Sequence, residues 1–367
     1  MARTWQRWVP AVAVPAVIAA AVVGGAVSTA SADLPDKSPQ EVLELAAGAD
    51  VSAYSGDVEQ TSDLGLPDVS GLGSGSSGSS RGGASGDGDQ TAADALELLT
   101  ADHSARVYVD GDAARVQVLD QLAERDVIAS PDGVWLYYSK DASAVHVTRG
   151  DGAAPDGSAA PETQTLSPAD VAQRFLDAVD PSTEVSLGPD ASVAGRDAYD
   201  LVLTPRGGDT LVGSVSIAVD AETGLPLRVQ VLATGASDPA FEVGFTSISY
   251  DTPSADLFAF TPPAGTDVTE KDASAWTGDA GDASGHGDST HPKPTVTGEG
   301  WSSVVSIPTG QAGVGDLTSS PLFSQLATRV DGGYALQTTL VSALLTDDGR
   351  VLVGAVPLGS LQSAAAQ

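Results

Sequence analysis

The chain has 367 residues, with 17 Lys and Arg against 49 Asp and Glu, a formal charge of −32 at pH 7. An acid excess of this size argues against nucleic acid and anionic membrane surfaces as partners, because both are bound through basic patches. The sequence has no cysteine, so disulfides, thiolate metal sites and cysteine nucleophiles are excluded, and four histidines leave little for imidazole chemistry.

The amino-terminal stretch carries Arg3 and Arg7, then the uncharged apolar run Trp8 to Val27, then the small-x-small ending Ala30-Ser31-Ala32. This order predicts an export signal over residues 1–32 and an extracytoplasmic mature protein, secreted or held in the cell envelope. An uncleaved membrane anchor is the alternative, since about 20 apolar residues can span a bilayer.

Ser38-Pro39 then predicts a helix, with Ser as N-cap, Pro at the first helical position and Glu41 at capping-box spacing. The stretch 68–91 reads as a disordered loop, with eight Gly and six Ser between 71 and 90. A further helix is expected over Ala92–Leu99. Period-two alternation follows: Val107 and Val109, Val116 and Val118, Trp135 and Tyr137, Val145 and Val147 each share a face. Asp110-Gly111-Asp112 and Ser130-Pro131-Asp132-Gly133 supply the hairpin turns. Ser167-Pro168 opens another helix, with Val171, Phe175 and Val179 on one stripe.

Strands resume around Tyr199, Leu201 and Leu203, around Val215, Ile217 and Val219, around Leu227, Val229 and Val231, and around Phe241, Val243 and Phe245. Glu222-Thr223-Gly224 is a turn between two of them. The pattern predicts a mainly antiparallel β fold with a few helices, its sheet curled into an open half-barrel and its apolar face covered by a helical lid. An acidic, disordered linker is expected over 269–300. A small C-terminal α+β unit over 301–367 follows, with a helix at Ser320-Pro321 and a hairpin at Asp347-Asp348-Gly349.

The succession from Arg106 to Asp141 resembles the early sheet of the periplasmic lipoprotein carriers and sigma-factor regulators, the LolA and RseB/MucB group. In both, a Trp-x-Tyr segment follows an Asp-Gly turn, here Asp132-Gly133 and Trp135-Leu136-Tyr137. Val219-Asp220-Ala221-Glu222-Thr223-Gly224-Leu225-Pro226 is similar to the group's D-x-x-T-G-x-P hairpin. Phe258-Ala259-Phe260-Thr261-Pro262-Pro263-Ala264-Gly265 is similar to its closing F-x-F-x-P-P-x-G. The likeness covers residues 38–268, and the Ala/Asp-rich acidic composition suggests an actinobacterial branch.

The resemblance implies an open half-barrel, residues 33–268, that holds an acyl chain or a lipidated protein on its concave apolar face. It also implies, as the alternative, an envelope-stress regulator that binds an anti-sigma factor or another membrane-anchored protein. The sequence departs from the group in one turn. Some carriers hold the lid with an Arg there, whereas this chain has Gly111-Asp112-Ala113-Ala114, and Arg115 lies in the next strand.

The expected ligand face comprises Val107, Val116, Val118, Trp135, Tyr137, Leu201, Leu203, Val215, Ile217, Phe241 and Phe245; Trp135 and Tyr137 read equally well as cavity lining or plain core. No cofactor and no metal is implied. His286 and His291, beside Asp279, Asp282 and Asp288, read as part of the linker rather than as ligands. His103 and His146 read as polar residues at strand edges. Carboxylate pairs are too common at this composition to single out an acid and a base, and no Gly-x-Ser-x-Gly is joined by a triad, so a secreted hydrolase ranks last and the chain reads as a non-enzyme.

Overall fold

The computed structural model describes residues 34–66, 102–119, 123–148, 167–177, 179, 181–272, 294–308 and 321–366. The expected export signal, the Gly/Ser-rich loop, the Ala92–Leu99 helix and the two linker histidines lie outside the described residues.

Helix α1 (Pro39–Ala47) starts where its caps dictate. The Glu41 backbone N–H donates to Ser38 Oγ (3.3 Å), and the Glu41 carboxylate accepts from the Ser38 backbone N–H (2.8 Å), closing the capping box. Its buried residues are Val42 and Ala46. Helix α2 (Pro168–Asp177) buries Val171, Ala172 and Phe175, the stripe set by its 3.6-residue period.

These helices lie against a large sheet. In chain order its strands are β1 (Ala53–Ser62), β2 (Ser104–Asp110), β3 (Ala113–Leu119), β4 (Glu124–Ser130), β5 (Gly133–Tyr138), β6 (Ser143–Thr148), β7 (Thr183–Leu187), β8 (Ala191–Val193), β9 (Arg196–Pro205), β10 (Val212–Asp220), β11 (Pro226–Ala233), β12 (Pro239–Ser249) and β13 (Asp267–Asp272). Their spatial order is β13-β6-β5-β4-β3-β2-β1-β12-β11-β10-β9-β7, with β8 paired to β9. The sheet is open, since β13 and β7 end it without meeting. Two meanders, β1–β6 and β7–β12, join where β1 pairs antiparallel with β12. A register shift between Asp57 and Val58 interrupts that seam, and irregularities of this kind bend a strand and increase its local twist.

The acidic stretch expected to be linker from 269 onward begins inside β13, and its other end contains β14 (Thr295–Thr297), the first strand of a second sheet. Both are short, polar strands that carry no alternating apolar signal. The second sheet continues with β15 (Val304–Pro308), β16 (Thr328–Val330), β17 (Gly333–Gln337), β18 (Ser342–Thr346) and β19 (Arg350–Gly354), in the order β14-β15-β19-β18-β17-β16. Helix α3 (Pro321–Leu326) precedes β16, and helix α4 (Leu358–Ala365) packs Leu361 against Val304, Ala335, Leu344 and Leu352.

The second sheet sits on the first through specific contacts. The Leu211 N–H and the Thr210 hydroxyl both donate to the Ala355 carbonyl (2.8 Å each), and the Thr339 N–H donates to the Leu64 carbonyl (2.9 Å). Trp301 stacks on Phe175 of α2, with centroids 6.3 Å apart, and its indole N–H donates to Thr183 Oγ1 (2.9 Å). Trp301→Ala is therefore expected to loosen the second sheet and α2 together; limited proteolysis should cut the variant faster near both, leaving β9–β12 protected.

Candidate functional site

Strand pairing carries one apolar face across the whole half-barrel. Val116 stands opposite Val107, and Val107 opposite Gly56. Two residues further along β1, Val58 stands opposite Phe245. Phe241 lies opposite Val231, Val231 opposite Val215, and Val215 opposite Leu203. Ile217 and Leu201 form the next pair along. Nine of the eleven expected face residues are thus brought together: Val107, Val116, Val118, Leu201, Leu203, Val215, Ile217, Phe241 and Phe245, each no more than 5% exposed. They share one core with Val42 and Ala46 of α1 and Val171, Ala172 and Phe175 of α2. Fully burying a side chain of this size is worth about 1.5–3 kcal/mol, so beneath the helices this face is a packed core.

Trp135 and Tyr137 are not on that face. Val116 pairs with Val127 and Val127 with Leu136, whereas Trp135 pairs with Ile128 and Ile128 with Arg115, so Trp135 and Tyr137 point to the opposite, convex side. β5 carries apolar residues on both sides. On the convex side a strap runs from a 3-10 turn (Ala255–Phe258) to Gly265, and its Phe260 ring packs on Trp135 (5.3 Å) and Tyr137 (5.4 Å). The F-x-F-x-P-P-x-G segment is this strap. Beneath it lies a buried pair, Arg115 donating to Asp126, with a second Arg115 N–H donating to the Leu257 carbonyl (3.2 Å). Burial raises the Asp126 carboxyl above the ordinary aspartate range, against the pull of Arg115. Arg115, beside the turn where some carriers place their lid-holding Arg, here holds the strap.

The true continuation of the helix-covered face toward β6 is Val127, Leu136 and Val145, all only half-buried. Leu136 lies between Trp135 and Tyr137 in β5, so periodicity alone does not separate the two faces of that strand.

The D-x-x-T-G-x-P hairpin is a polar hub under α1. The Asp220 side chain, fully buried, accepts from Arg196 Nε (2.7 Å) and Nη2 (3.1 Å), from the Tyr250 hydroxyl (2.9 Å), and from the backbone N–H groups of Glu222 (2.8 Å) and Thr223 (3.0 Å). Burial alone would raise its carboxyl, but these donors outweigh it and hold Asp220 below the usual range. Burial and the neighbouring Asp220 charge push the Tyr250 phenol up to about 12. Gly224 has φ +77°, and a Cβ there would lie 2.3 Å from the Leu45 carbonyl of α1. Only glycine lets this turn touch the helix. The hydroxyl of Tyr199, donating to the Pro35 carbonyl (2.9 Å), fixes the chain just before α1. The hub therefore positions a lid helix; every Asp220 acceptor bond is taken up structurally.

His103 is buried just before β2. His146, within β6, lies flat against Trp135 (4.0 Å, 6°) and pairs with Glu270 through Nδ1 (2.9 Å). Among the described residues no group of three or more His, Asp or Glu is placed to hold a metal ion, and no helix is long and apolar enough to cross a membrane.

Among solved structures, the chain is similar to the Pseudomonas aeruginosa MucA/MucB complex (16% identity, 89% of this chain and 96% of that chain, TM-score 0.41). It is similar also to MucB in complex with MucA(peri) (17% identity, 89% and 97%, TM-score 0.43) and to a LolA superfamily protein from Nitrosomonas europaea (9% identity, 61% and 99%, TM-score 0.22). No protein-family model and no curated protein matches the chain. At these identities and scores no residue's role passes from those proteins to this one. The chain's own strand order gives an open half-barrel sheet, antiparallel except for β13, with helices on its apolar face.

Proposed function

We propose that this protein is an extracytoplasmic binding protein that holds an acyl chain, free or on a lipidated protein, against the helix-covered face of the half-barrel. The continuity of that face carries the reading. It runs from Leu201 and Leu203 through Phe241 and Phe245 to Val116, and onward to the half-buried Val127, Leu136 and Val145. Its cover is two short helices, one of them tied to the second sheet through Phe175 and Trp301. Each buried methylene contributes about 0.8 kcal/mol, so a long acyl chain needs no polar anchor to be held there. Cargo enters over Val127, Leu136 and Val145 and reaches further only as a helix lifts. The charged start, apolar run and Ala30-Ser31-Ala32 ending of the sequence support export.

Two tryptophan substitutions test the reading. Val116 is 3% exposed, so Val116→Trp overpacks the core and is expected to cost about 1–3 kcal/mol. Val127 faces the open part of the same surface, and Val127→Trp is expected to leave the melting temperature nearly unchanged while displacing a fluorescent long-chain fatty acid bound by the parent. A parent protein that binds no such probe, with both variants strongly destabilised, means a closed core and ends the acyl-carrier reading.

A further inference from the structure

β13 is held unlike any other strand of the large sheet. Its pairing with β6 is parallel, whereas every other strand pairing among the described residues is antiparallel. It arrives from more than a hundred residues further along the chain, by way of the strap, and the side chains of Asp267, Val268, Thr269, Glu270 and Lys271 are all exposed. It therefore adds almost nothing to either core. The contacts that hold it include ladder hydrogen bonds, each worth about 0.5–1.5 kcal/mol net, a long hydrogen bond from the Thr148 hydroxyl to the Lys271 carbonyl (3.4 Å), and the partly exposed His146–Glu270 pair, of a kind worth at most about 1 kcal/mol.

The edge beneath it is well defined. Ala144 is buried and makes a small apolar step under Val268, its register partner. Two residues on, the His146 ring is fixed by stacking on Trp135, so its Nδ1 meets whatever side chain occupies the position of Glu270. A preformed strand edge with an apolar step and a fixed imidazole is a peptide-recognition surface: the backbone ladder gives affinity and alternate side chains give selectivity.

We propose that the β6 edge docks an extended segment of a partner protein, and that β13 is a resident strand which such a segment replaces. The resident defines what fits: a β-branched residue over Ala144, any residue next, then a carboxylate over His146. This interaction surface lies at the sheet edge and is separate from the apolar face, so a protein partner and an acyl chain can be held at once. Because β13 is tethered, it competes at high effective concentration, and an incoming segment binds far more readily once β13 is weakened.

The probe is a fluorescein-labelled peptide with the sequence of residues 265–272, followed by anisotropy with the full chain. In a release variant, Thr269→Pro with Lys271→Pro, two ladder N–H groups of β13 are lost, since those facing β6 alternate from Asp267, whose N–H donates to the Ala142 carbonyl (2.8 Å). The peptide is expected to bind this variant at least tenfold more tightly than the parent. In a locked variant, Ser143→Cys with Asp267→Cys, the register partners are bridged; the chain has no other cysteine, so the bridge is unambiguous. The oxidised locked form is expected to lose the peptide and recover parental binding on reduction. A probe with Lys at the position of Glu270 should bind at least fivefold more weakly to the release variant. Peptide binding that is equal in oxidised and reduced locked protein, or no binding to a release variant that melts like the parent, overturns the proposal. Neither result bears on the fatty-acid test, which reads a different surface.

Discussion

Asp220→Asn is expected to lower the unfolding free energy by about 3 kcal/mol at pH 7 and by less near pH 3. The substitution keeps the shape of the side chain but removes a charge whose oxygens accept from Arg196, Tyr250 and two backbone N–H groups. Removing one partner of a buried pair typically costs about 3–5 kcal/mol, because the other charge stays behind. The lower end applies here, since Arg196 also donates to Glu222 (2.7 Å) and keeps one acid partner. The pH dependence follows from the direction of the shift. The folded carboxyl lies below its unfolded value of about 3.9, so its contribution is fully present above that value and is lost as pH falls through the folded one. Urea unfolding of parent and variant at pH 7 and pH 3 reads both quantities. A gap that is the same at the two pH values would show that the Asp220 charge contributes nothing and that only the hydrogen-bonding shape matters.

Asp126 has the opposite sign. Burial raises its carboxyl, so its ionised form is the less favourable one in the folded state, and it gives back some stability as pH falls. The same fold thus holds two buried Asp–Arg pairs that respond to acid in opposite directions. They differ in their donors: Asp220 gathers four donor groups, whereas Asp126 has Arg115 and leaves Oδ1 without a hydrogen-bond partner.

The features legible in the sequence are those fixed by a few neighbouring residues. The Ser38/Glu41 box, the Asp-Gly turns and the period-two alternation of Val107, Val116, Leu201, Val215 and Phe241 each have a local cause, and together they define the half-barrel and nine residues of its face. Trp135 and Tyr137 were misassigned because alternation locates a face only when the other side is polar. β5 is apolar at Val134, Trp135, Leu136 and Tyr137 alike, and what makes the convex side apolar is Phe260, more than 120 residues away. β13 was missed for the same physical reason. Its residues have no apolar period, and they form a strand because the strap delivers them to the β6 edge. The hub around Asp220 was recognisable as a hairpin motif, but its partners Arg196 and Tyr250 come together only in the folded sheet.

The largest loss is expected at the seam between the two meanders, where Phe245→Ala should cost about 3–5 kcal/mol. Phe245 is 1% exposed, stands opposite Val58 across the bulge in β1, and meets Tyr54 edge to face at 6.1 Å. Its ring lies over Gly56, where a Cβ would come within 2.7 Å of it. The ring thus fills the space left by a residue with no side chain, and no neighbour can move in to replace it. A variant cavity here is walled by strands of both meanders, so it should weaken them together and give a single shifted unfolding transition. Phe260→Ala offers the contrast. That ring is half-buried in the strap and touches only the convex side, so its loss should cost about 1–2 kcal/mol while changing the fluorescence of Trp135, on which it packs. Chemical denaturation of the two variants, followed by far-ultraviolet dichroism and by tryptophan emission, separates the cases. If Phe245→Ala unfolds in two steps, with one meander surviving the other, the seam does not unite them and the half-barrel is two cooperative units rather than one.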